Sequence, residues 1–224
     1  MQPNSHTLSS EVSFDHLYIF GAGGSGRELA WLAQERYGRG VGLTFVVDKS
    51  DFLTSPVNGI EVKLFSDLVP RDEARFVVAL GDPVDRERVV AMFLDAGYQP
   101  ANLVHSRVEM SPLVSIGKGT VICANTVLTC NIAIGNYVQI NVACTVSHDV
   151  VIDDYSTLSP GVNVAGNVCI GRRVFVGINA CFINGSAQEP LIIGDDAVIA
   201  AGACVTQNVE ANAMVAGVPA VRKR

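Results

Sequence analysis

The dominant pattern in the chain is an aliphatic or phenylalanine side chain at every sixth position of its second half. The run passes through twelve such anchors without a break: Ile116, Ile122, Leu128, Ile134, Ile140, Val146, Ile152, Leu158, Val164, Ile170, Val176 and Phe182. Val104 and Met110 extend it backwards, and after a short insertion at about residues 186 to 190 it resumes at Ile193, Ile199 and Val205. A period of six fits neither an α-helix nor a simple alternating strand.

A six-residue repeat predicts a coil of triangular cross-section. Each unit forms one flat face, three faces close one coil, and the anchor side chains point inward and stack along the axis. We expect roughly six coils between residues 104 and 210, each covering the anchors of its neighbours in a parallel β-helix. A glycine follows several anchors, and we expect it to relax the backbone restrictions at a corner, as at Gly117, Gly135, Gly171, Gly177 and Gly194.

A strand, a glycine-rich turn and a helix follow one another near the start of the chain. An apolar segment over residues 14–20 leads into Gly21, Gly23 and Gly26, which have the spacing G-x-G-x-x-G, and a helical pattern follows over residues 27–37. Residues 43–47 are predicted to form a second strand that ends at Asp48, about twenty residues beyond the glycines. This context predicts a nucleotide-phosphate site at the start of the helix. The alternative is that the glycines only form a tight turn.

A further strand and helix complete the first part of the chain. Residues 75–80 are predicted to form a strand that leads into Gly81, Asp82 and Pro83, and residues 84–96 an amphipathic helix. Only about ninety residues precede the repeat, half the size of a complete dinucleotide-binding fold, so a mononucleotide is favoured over NAD. The sequence therefore predicts a flexible leader at 1–13, an α/β half-Rossmann-like βαβ domain at 14–102, and an all-β parallel β-helix with a C-terminal tail at 103–224.

Composition and charge narrow the classes of function. The 224 residues carry 16 Lys+Arg and 22 Asp+Glu, a formal net charge of −6, which disfavours binding to nucleic acid. No apolar stretch approaches the ~18 residues of a membrane-spanning helix, and the polar start MQPNSHTLSS shows no secretory signal. The six cysteines form no C-x-x-C pair. We therefore expect a cytoplasmic protein with no membrane partner, in which the cysteines are small buried side chains.

Histidine is scarce, and only one of the four lies within the coils. His148 stands two positions after the anchor Val146, where a side chain projects outward, and Asp149 follows it. An imidazole there can accept a proton from an attacking amine or hydroxyl, while the carboxylate orients the ring. We predict His148 as a general base with Asp149 as its partner, and the alternative is a solvated surface pair. A zinc site in a β-helix of this kind needs three histidine ligands close together, and only His148 lies within the coils, so no metal is expected.

The hexapeptide run behind a small nucleotide-type domain resembles the left-handed β-helix sugar acetyltransferases. This family includes the sialic acid O-acetyltransferases and the bacterial N-acetyltransferases of nucleotide-linked amino sugars. The resemblance implies a left-handed coil, a homotrimer, and acetyl-CoA bound in the groove between neighbouring prisms. Its catalytic histidine is followed by an acidic residue, which matches His148 and Asp149. It also implies that the first domain holds the nucleotide of the sugar substrate through Gly21, Gly23, Gly24, Ser25, Asp48, Gly81 and Asp82.

Further positions match the cofactor-binding residues of this family. The Gly166 amide resembles the donor to the thioester oxygen, and the ending VAGVPA is similar to a segment that packs near the adenine. The resemblance thus implies an acetyl-CoA site at Gly166, Asn167, Ile178, Asn179, Ala201, Gly217 and Pro219. The alternatives are that these glycines are coil corners and that the basic C-terminus is solvated. One departure is Thr157, which stands where some relatives have a second histidine that helps to place the acetyl group.

Together with the pair His148 and Asp149, the resemblance implies an acetyl-CoA-dependent N-acetyltransferase. Its expected substrate is the amine of a UDP- or GDP-linked 4-amino-4,6-dideoxy sugar, in the synthesis of a bacterial surface polysaccharide or glycan. We expect the amine to attack the thioester directly, because no cysteine has a neighbouring histidine that would make it a nucleophile. Two alternatives stay open: O-acetylation of a sialic-acid-type sugar, and a trimeric nucleotide-binding module without chemistry.

Overall fold

The first part of the chain is a parallel sheet with two α-helices. In the computed structural model, which describes residues 14–53 and 56–223, its elements are β1 (His16–Phe20), α1 (Gly24–Tyr37), β2 (Gly42–Val47), β3 (Glu61–Leu64), β4 (Ala74–Val78), α2 (Pro83–Asp95) and β5 (Gln99–Pro100). Short 3-10 helices cover Gly38–Gly40, Ser50–Phe52 and Phe65–Asp67. The strands are ordered β3-β2-β1-β4-β5 and every pairing is parallel. The predicted leader at 1–13 lies outside the described residues.

The strand order places the glycine-rich turn at the middle of the sheet. β1 lies between β2 and β4, so the crevice beyond the carboxyl ends of β1 and β4 is the topological switch point, where open parallel sheets bind ligands. The sequence pattern missed β3 and β5, because one is a short edge strand and the other has two residues, too few for a period to show. α1 begins at Gly24, three residues before the predicted start, with Gly23 as its N-cap.

Residues from Leu103 onward wind into a β-helix with three faces, which we name faces I, II and III in chain order. Face I contains Leu103–Val104, Val121–Ile122, Gln139–Ile140, Thr157–Leu158, Phe175–Val176, Val198–Ile199, Met214–Ala216 and Val221–Arg222. Face II contains Glu109–Met110, Val127–Leu128, Thr145–Val146, Asn163–Val164, Cys181–Phe182 and Cys204–Val205. Face III contains Val114–Ile116, Ile132–Ile134, Val151–Ile152, Val168–Ile170 and Leu191–Ile193. Strands pair in parallel except for the last, which is antiparallel to its neighbour.

The six-residue anchors fill the inside of the prism, as predicted. Every anchor from Ile122 to Val205 is at most 4% exposed, whereas Ile116, near the open end, is only half-buried. The small or β-branched residues four positions after the anchors also point inward, and Thr120, Val138 and Ser156 are fully buried. Each six-residue unit therefore buries two side chains, which stack on the same positions of the coils above and below.

The glycines that follow anchors have a different role from the predicted one. The backbone turns into the left-handed region three positions after an anchor, as at Asn125, Asn131, Ala143 and Asn179, and none of the five glycines has a positive φ. Instead a Cβ on Gly177 would lie 2.5 Å from the amide nitrogen of the residue at 201 in the next coil, and a Cβ on Gly194 would lie 2.4 Å from that of residue 211. The prediction is wrong on this point, because close stacking between coils is what requires glycine there.

The cysteines are only partly as predicted. All six are free, but only Cys123 and Cys144 are buried, and the other four are partly exposed: Cys130, Cys169, Cys181 and Cys204. Of these, the last three occupy outward-facing positions of strands, which alternate with the inward anchors. Within residues 14–53 and 56–223, no helix is long and apolar enough to cross a membrane.

Face I of the prism packs against the first domain. Gln139 Nε2 donates to the carbonyl of Val78 at 2.6 Å, and Thr157 Oγ1 donates to the carbonyl of Gly81 at 2.8 Å. At the corner between faces III and I, the α2 carboxylate of Glu87 pairs with two arginines of one coil, Arg172 and Arg173. The loop that follows β4 therefore contacts the prism directly.

Candidate active site

His148 and Asp149 lie at the corner between faces II and III. The side chain of His148 is about half exposed, 52%, and its Nδ1 lies 2.8 Å from Asp149 Oδ2. From the preceding coil, Asn131 Nδ2 donates to the other carboxylate oxygen, Oδ1, at 3.1 Å. When Nδ1 carries the proton and donates it to the carboxylate, Nε2 is the basic nitrogen of the ring. The pair thus has the arrangement of a general base and its orienting group.

The electrostatics of Asp149 suit this role. Its backbone occupies the left-handed corner, with φ of 57°, a conformation that aspartate adopts more readily than most residues. The hydrogen bond from His148 and then the one from Asn131 lower the pKa of the carboxyl below its usual value. The carboxylate therefore stays ionised where an imidazole titrates, and it can stabilise an imidazolium next to it.

Gly166 lies in the next coil, directly against the ring of His148. A Cβ built on Gly166 would lie 2.5 Å from His148 Cε1 and 2.6 Å from Nε2, so a larger residue would displace the ring. The following residue, Asn167, donates its amide to the carbonyl of His148 at 3.1 Å. The amide of Gly166 itself donates to Asn184 Oδ1 at 3.0 Å. The predicted thioester donor is thus engaged by Asn184, which the sequence analysis missed although it stands two positions after the anchor Phe182, the position that His148 and Gly166 occupy in the two preceding coils.

The other predicted acetyl-CoA residues lie at a different corner. Ile178, half exposed at 52%, and Asn179 turn the corner between faces I and II, and the next coils place Ala201 and Gly217 at the same corner. The stacking is direct, because the amide of Gly202 donates to the carbonyl of Ile178 at 2.8 Å. Pro219 follows on the same side, after a cis peptide bond. Within one copy, face II lies between these residues and the corner of His148 and Gly166. One face spans six residues, which is at most ~20 Å.

The predicted nucleotide site is brought together at the switch point of the sheet. The turn after β1 and the loop after β4 are neighbours, since a Cβ on Gly21 would contact the Ala79 carbonyl oxygen at 3.4 Å. Gly26 is needed for packing, because a Cβ there would lie 1.9 Å from the Gly21 carbonyl oxygen. At Gly23, Gly24 and Gly81, by contrast, a Cβ would meet nothing within 4 Å. These three glycines therefore border open space, as a site that admits a ligand close to the backbone requires.

The two predicted acidic residues of this site already have partners. Asp48, at the end of β2, lies 3.5 Å from Arg88 of α2. Asp82 is the N-cap of α2 and accepts from the amides of Val84 and Asp85 through one oxygen, Oδ1. Asp82 is therefore first a capping residue, and its second oxygen is the one left for a ligand.

A cavity of about 260 Å³ joins the switch point to face I of the prism. Ser25 and Glu28 of α1 line it together with Gly81, and Asn141 and Ser159 line it from the prism. The sequence analysis missed the last two because nothing in a six-residue period distinguishes a corner that faces another domain. Thr157 also borders this cavity and is buried with its hydroxyl on the Gly81 carbonyl, on a different face from His148.

The chain is similar to known proteins in sequence and in structure. No family model matches the chain. A GDP-perosamine N-acetyltransferase from Escherichia coli O157:H7 is 34% identical over 182 residues, which is 79% of this chain and 81% of the relative. The chain belongs to the family of hexapeptide-repeat nucleotide-amino-sugar N-acetyltransferases.

Two solved structures show the fold of this N-acetyltransferase. WeeI from Acinetobacter baumannii AYE superposes with a TM-score of 0.88 at 31% identity, covering 92% of this chain and 99% of the other. A perosamine N-acetyltransferase from Caulobacter crescentus, crystallised with CoA and GDP-perosamine as a histidine-to-asparagine variant, has a TM-score of 0.82 at 26% identity over 93% of this chain and 97% of the other. The fold of this N-acetyltransferase is accordingly a Rossmann-like α/β part followed by a left-handed β-helix.

Proposed function

We propose that the chain transfers the acetyl group of acetyl-CoA to the amine of a nucleotide-linked 4-amino-4,6-dideoxy sugar. The observation that carries the proposal is the half-exposed His148 ring held at Nδ1 by Asp149, in a chain of this family. GDP-perosamine, which names the E. coli relative and is bound in the Caulobacter structure, is the first candidate substrate. A UDP-linked amino sugar is the second, because no residue of the described site selects the base.

The reaction needs one general base and no acyl-enzyme. The amine nitrogen attacks the thioester carbonyl carbon, a carbon–nitrogen bond forms, the carbon–sulfur bond breaks, and CoA leaves as a thiolate. Nε2 of His148 accepts the amine proton as the new bond forms and then returns it to the sulfur. Asp149 stabilises the positive charge that the ring carries in between.

The nucleotide sugar is assigned to the α/β domain at residues 14–102. The N-terminus of the 14-residue helix α1 faces the switch-point crevice, and a helix start attracts phosphate through its free amides and its dipole. The open space at Gly23, Gly24 and Gly81 lets a diphosphate approach these amides. The adjoining cavity leads from the crevice to face I, so the sugar can extend towards the prism.

The acetyl-CoA site is assigned to a groove between two copies in a homotrimer. His148 with Gly166, and Ile178 with Ala201, lie at different corners of one prism, so a groove between adjacent prisms is where the two corners of different copies can meet.

The free state of all six cysteines supports a reducing compartment such as the cytoplasm.

The test is coenzyme A release from acetyl-CoA with GDP-perosamine and UDP-linked 4-amino sugars as acceptors. We expect turnover with one of them, and a loss of ~10²–10⁴-fold in kcat for His148→Asn with CoA affinity nearly unchanged. Light scattering verifies that the variant keeps the oligomeric state of the wild type, which we expect to be a trimer. A correctly assembled His148→Asn enzyme with wild-type kcat at saturating substrates would show that another group is the base.

A further inference from the structure

One buried arginine connects the loop after β4 to the prism. Arg86, in the first turns of α2, is 1% exposed. Its guanidinium donates only to backbone carbonyls among the described residues: Leu80, Gly81, Tyr137, Tyr155 and Ser156. The first two belong to the loop and the last three to the corner between faces III and I. Arg86 therefore contacts both parts of the molecule at once.

The bonds to the loop determine which way its peptide groups face. Arg86 Nη1 holds the carbonyl of Leu80 at 2.7 Å and that of Gly81 at 3.3 Å. In a trans peptide the C=O and N–H groups point in opposite directions. Fixing these two carbonyls on the guanidinium turns the amides of Gly81 and Asp82 away from it, and neither amide donates to an acceptor in the described part of the chain.

A second donor fixes the same carbonyl from the prism. Thr157 Oγ1 donates to the Gly81 oxygen at 2.8 Å, so both acceptor positions of this oxygen are used, one by α2 and one by face I. A backbone carbonyl offers two lone pairs. The orientation of the Gly81 peptide thus depends on two side chains that lie outside the loop.

The charge of Arg86 lies behind the loop. Burial lowers the pKa of the guanidinium to about 9, and the nearby carboxyl of Asp82 acts against this shift, so the group is charged at neutral pH. A buried cation without a carboxylate hydrogen-bond partner is costly unless something compensates for it. Five carbonyl dipoles compensate in part, and an anion at the amides of the loop would do so further.

We infer that Arg86 is a positioning residue for the nucleotide-sugar diphosphate. It holds the Leu80 and Gly81 carbonyls so that the amides of Gly81 and Asp82 face the crevice beside the start of α1. It also fixes the position of this loop relative to the prism, through Tyr137, Tyr155 and Ser156. This inference rests on the function proposed above, and it adds to it the residue that orients the phosphate-binding amides.

The test compares Arg86→Lys with Glu87→Gln in the full-length protein. A lysine keeps the charge, but its three donors lie on a single nitrogen and cannot reach the five carbonyls that the three guanidinium nitrogens of Arg86 contact. Arg86→Lys should raise KM for the nucleotide sugar by about tenfold or more and weaken calorimetric binding of GDP or UDP by a similar factor, since charge-assisted hydrogen bonds orient the site. The KM for acetyl-CoA and kcat at saturation should change less than about twofold.

Glu87→Gln is the matched control, because Glu87 is the next residue of α2 and also binds the prism, but its ion pairs in the described part of the chain are with Arg172 and Arg173 and not with the loop. It should lower the melting temperature and leave both KM values unchanged. Thr157→Val removes the second donor to the Gly81 carbonyl and keeps the size of a side chain that borders the cavity. It should raise KM for the nucleotide sugar by a few-fold, so the inference can still be tested if Arg86→Lys does not fold.

Three results would overturn the inference. If Arg86→Lys and Thr157→Val bind GDP and UDP as the wild type does, the two side chains do not position the loop, although the proposed function would stand. If Glu87→Gln raises KM for the nucleotide sugar equally, the effect comes from the packing of α2 on the prism as a whole and not from the orientation of the loop. If the wild type binds neither nucleotide, the proposed function fails together with the inference.

Discussion

The contact between Gly166 and His148 gives the sharpest test of the proposed base. In Gly166→Ala the new Cβ would lie 2.5 Å from His148 Cε1, whereas carbon atoms in contact need about 3.5–4.0 Å. The ring must therefore move by about 1 Å or rotate. Gly166 has no positive φ, so alanine is compatible with its backbone, and the half-exposed ring is free to yield.

The expected result is a loss of activity without a loss of fold. A displacement of about 1 Å at a reacting group can cost on the order of 10²-fold in rate. We therefore expect kcat to fall by about 10²-fold while the melting temperature changes by only a few degrees and CoA still binds. Steady-state kinetics, thermal unfolding and calorimetry with CoA provide the three readouts.

Two controls separate ring displacement from general effects of alanine. Gly40→Ala introduces a Cβ that meets nothing within 4 Å, in a segment remote from the prism corner, and should leave kcat and the melting temperature unchanged. Gly171→Ala places a Cβ 2.4 Å from Asp195 Oδ1 and 2.9 Å from its amide nitrogen, at another corner, and should lower stability but keep kcat. Wild-type kcat in a folded Gly166→Ala enzyme would refute the view that this position of the His148 ring matters for catalysis.

Two further predictions concern the crevice and the ion pairs of α2. Gly24→Asp should place a carboxylate where the diphosphate binds and raise KM for the nucleotide sugar at least tenfold, with CoA affinity unchanged by calorimetry; tighter binding of the nucleotide would contradict the site. Desolvation raises the pKa of Glu87, but hydrogen bonds from Arg172 and Arg173 outweigh it and the pKa is lowered, as is that of Asp196 beside Arg173. These carboxylates therefore stabilise the fold above their unfolded pKa values, near pH 4, and the contribution is lost as the pH falls through the lower folded values. Because the Glu87 side chain is about a third exposed, its ion pairs should contribute roughly 1 kcal/mol or less to the free energy of unfolding. Melting curves from pH 6 to 3 should therefore show a smaller fall in melting temperature on acidification for Glu87→Gln than for the wild type. An equal acid loss would show that Glu87 contributes nothing through its charge.

Much of the prism can be predicted from the sequence, because the pattern that specifies it is local. An inward side chain recurs at every sixth position, and the structure buries it at each anchor from Ile122 to Val205. The pair of His148 and Asp149 is likewise local, since adjacent residues at a corner need no other element to bring them together. The glycine-rich turn after β1 also follows from its own spacing, although the roles of individual glycines do not: Gly26 serves packing, and Gly23 and Gly24 border open space.

The contacts that connect one coil or domain to another were decided only by the tertiary structure. Arg86 reaches Tyr155, 69 residues away in the chain, because α2 docks on the corner between faces III and I. Thr157 reaches the Gly81 carbonyl, 76 residues away in the chain, because face I packs against the first domain. Such contacts depend on the angle and height at which separate elements pack, and neither a period nor a motif encodes these quantities. The sequence by itself thus determined the repeat, the turn and the candidate base, while packing between elements decided which amides face the crevice and which glycine supports the histidine ring.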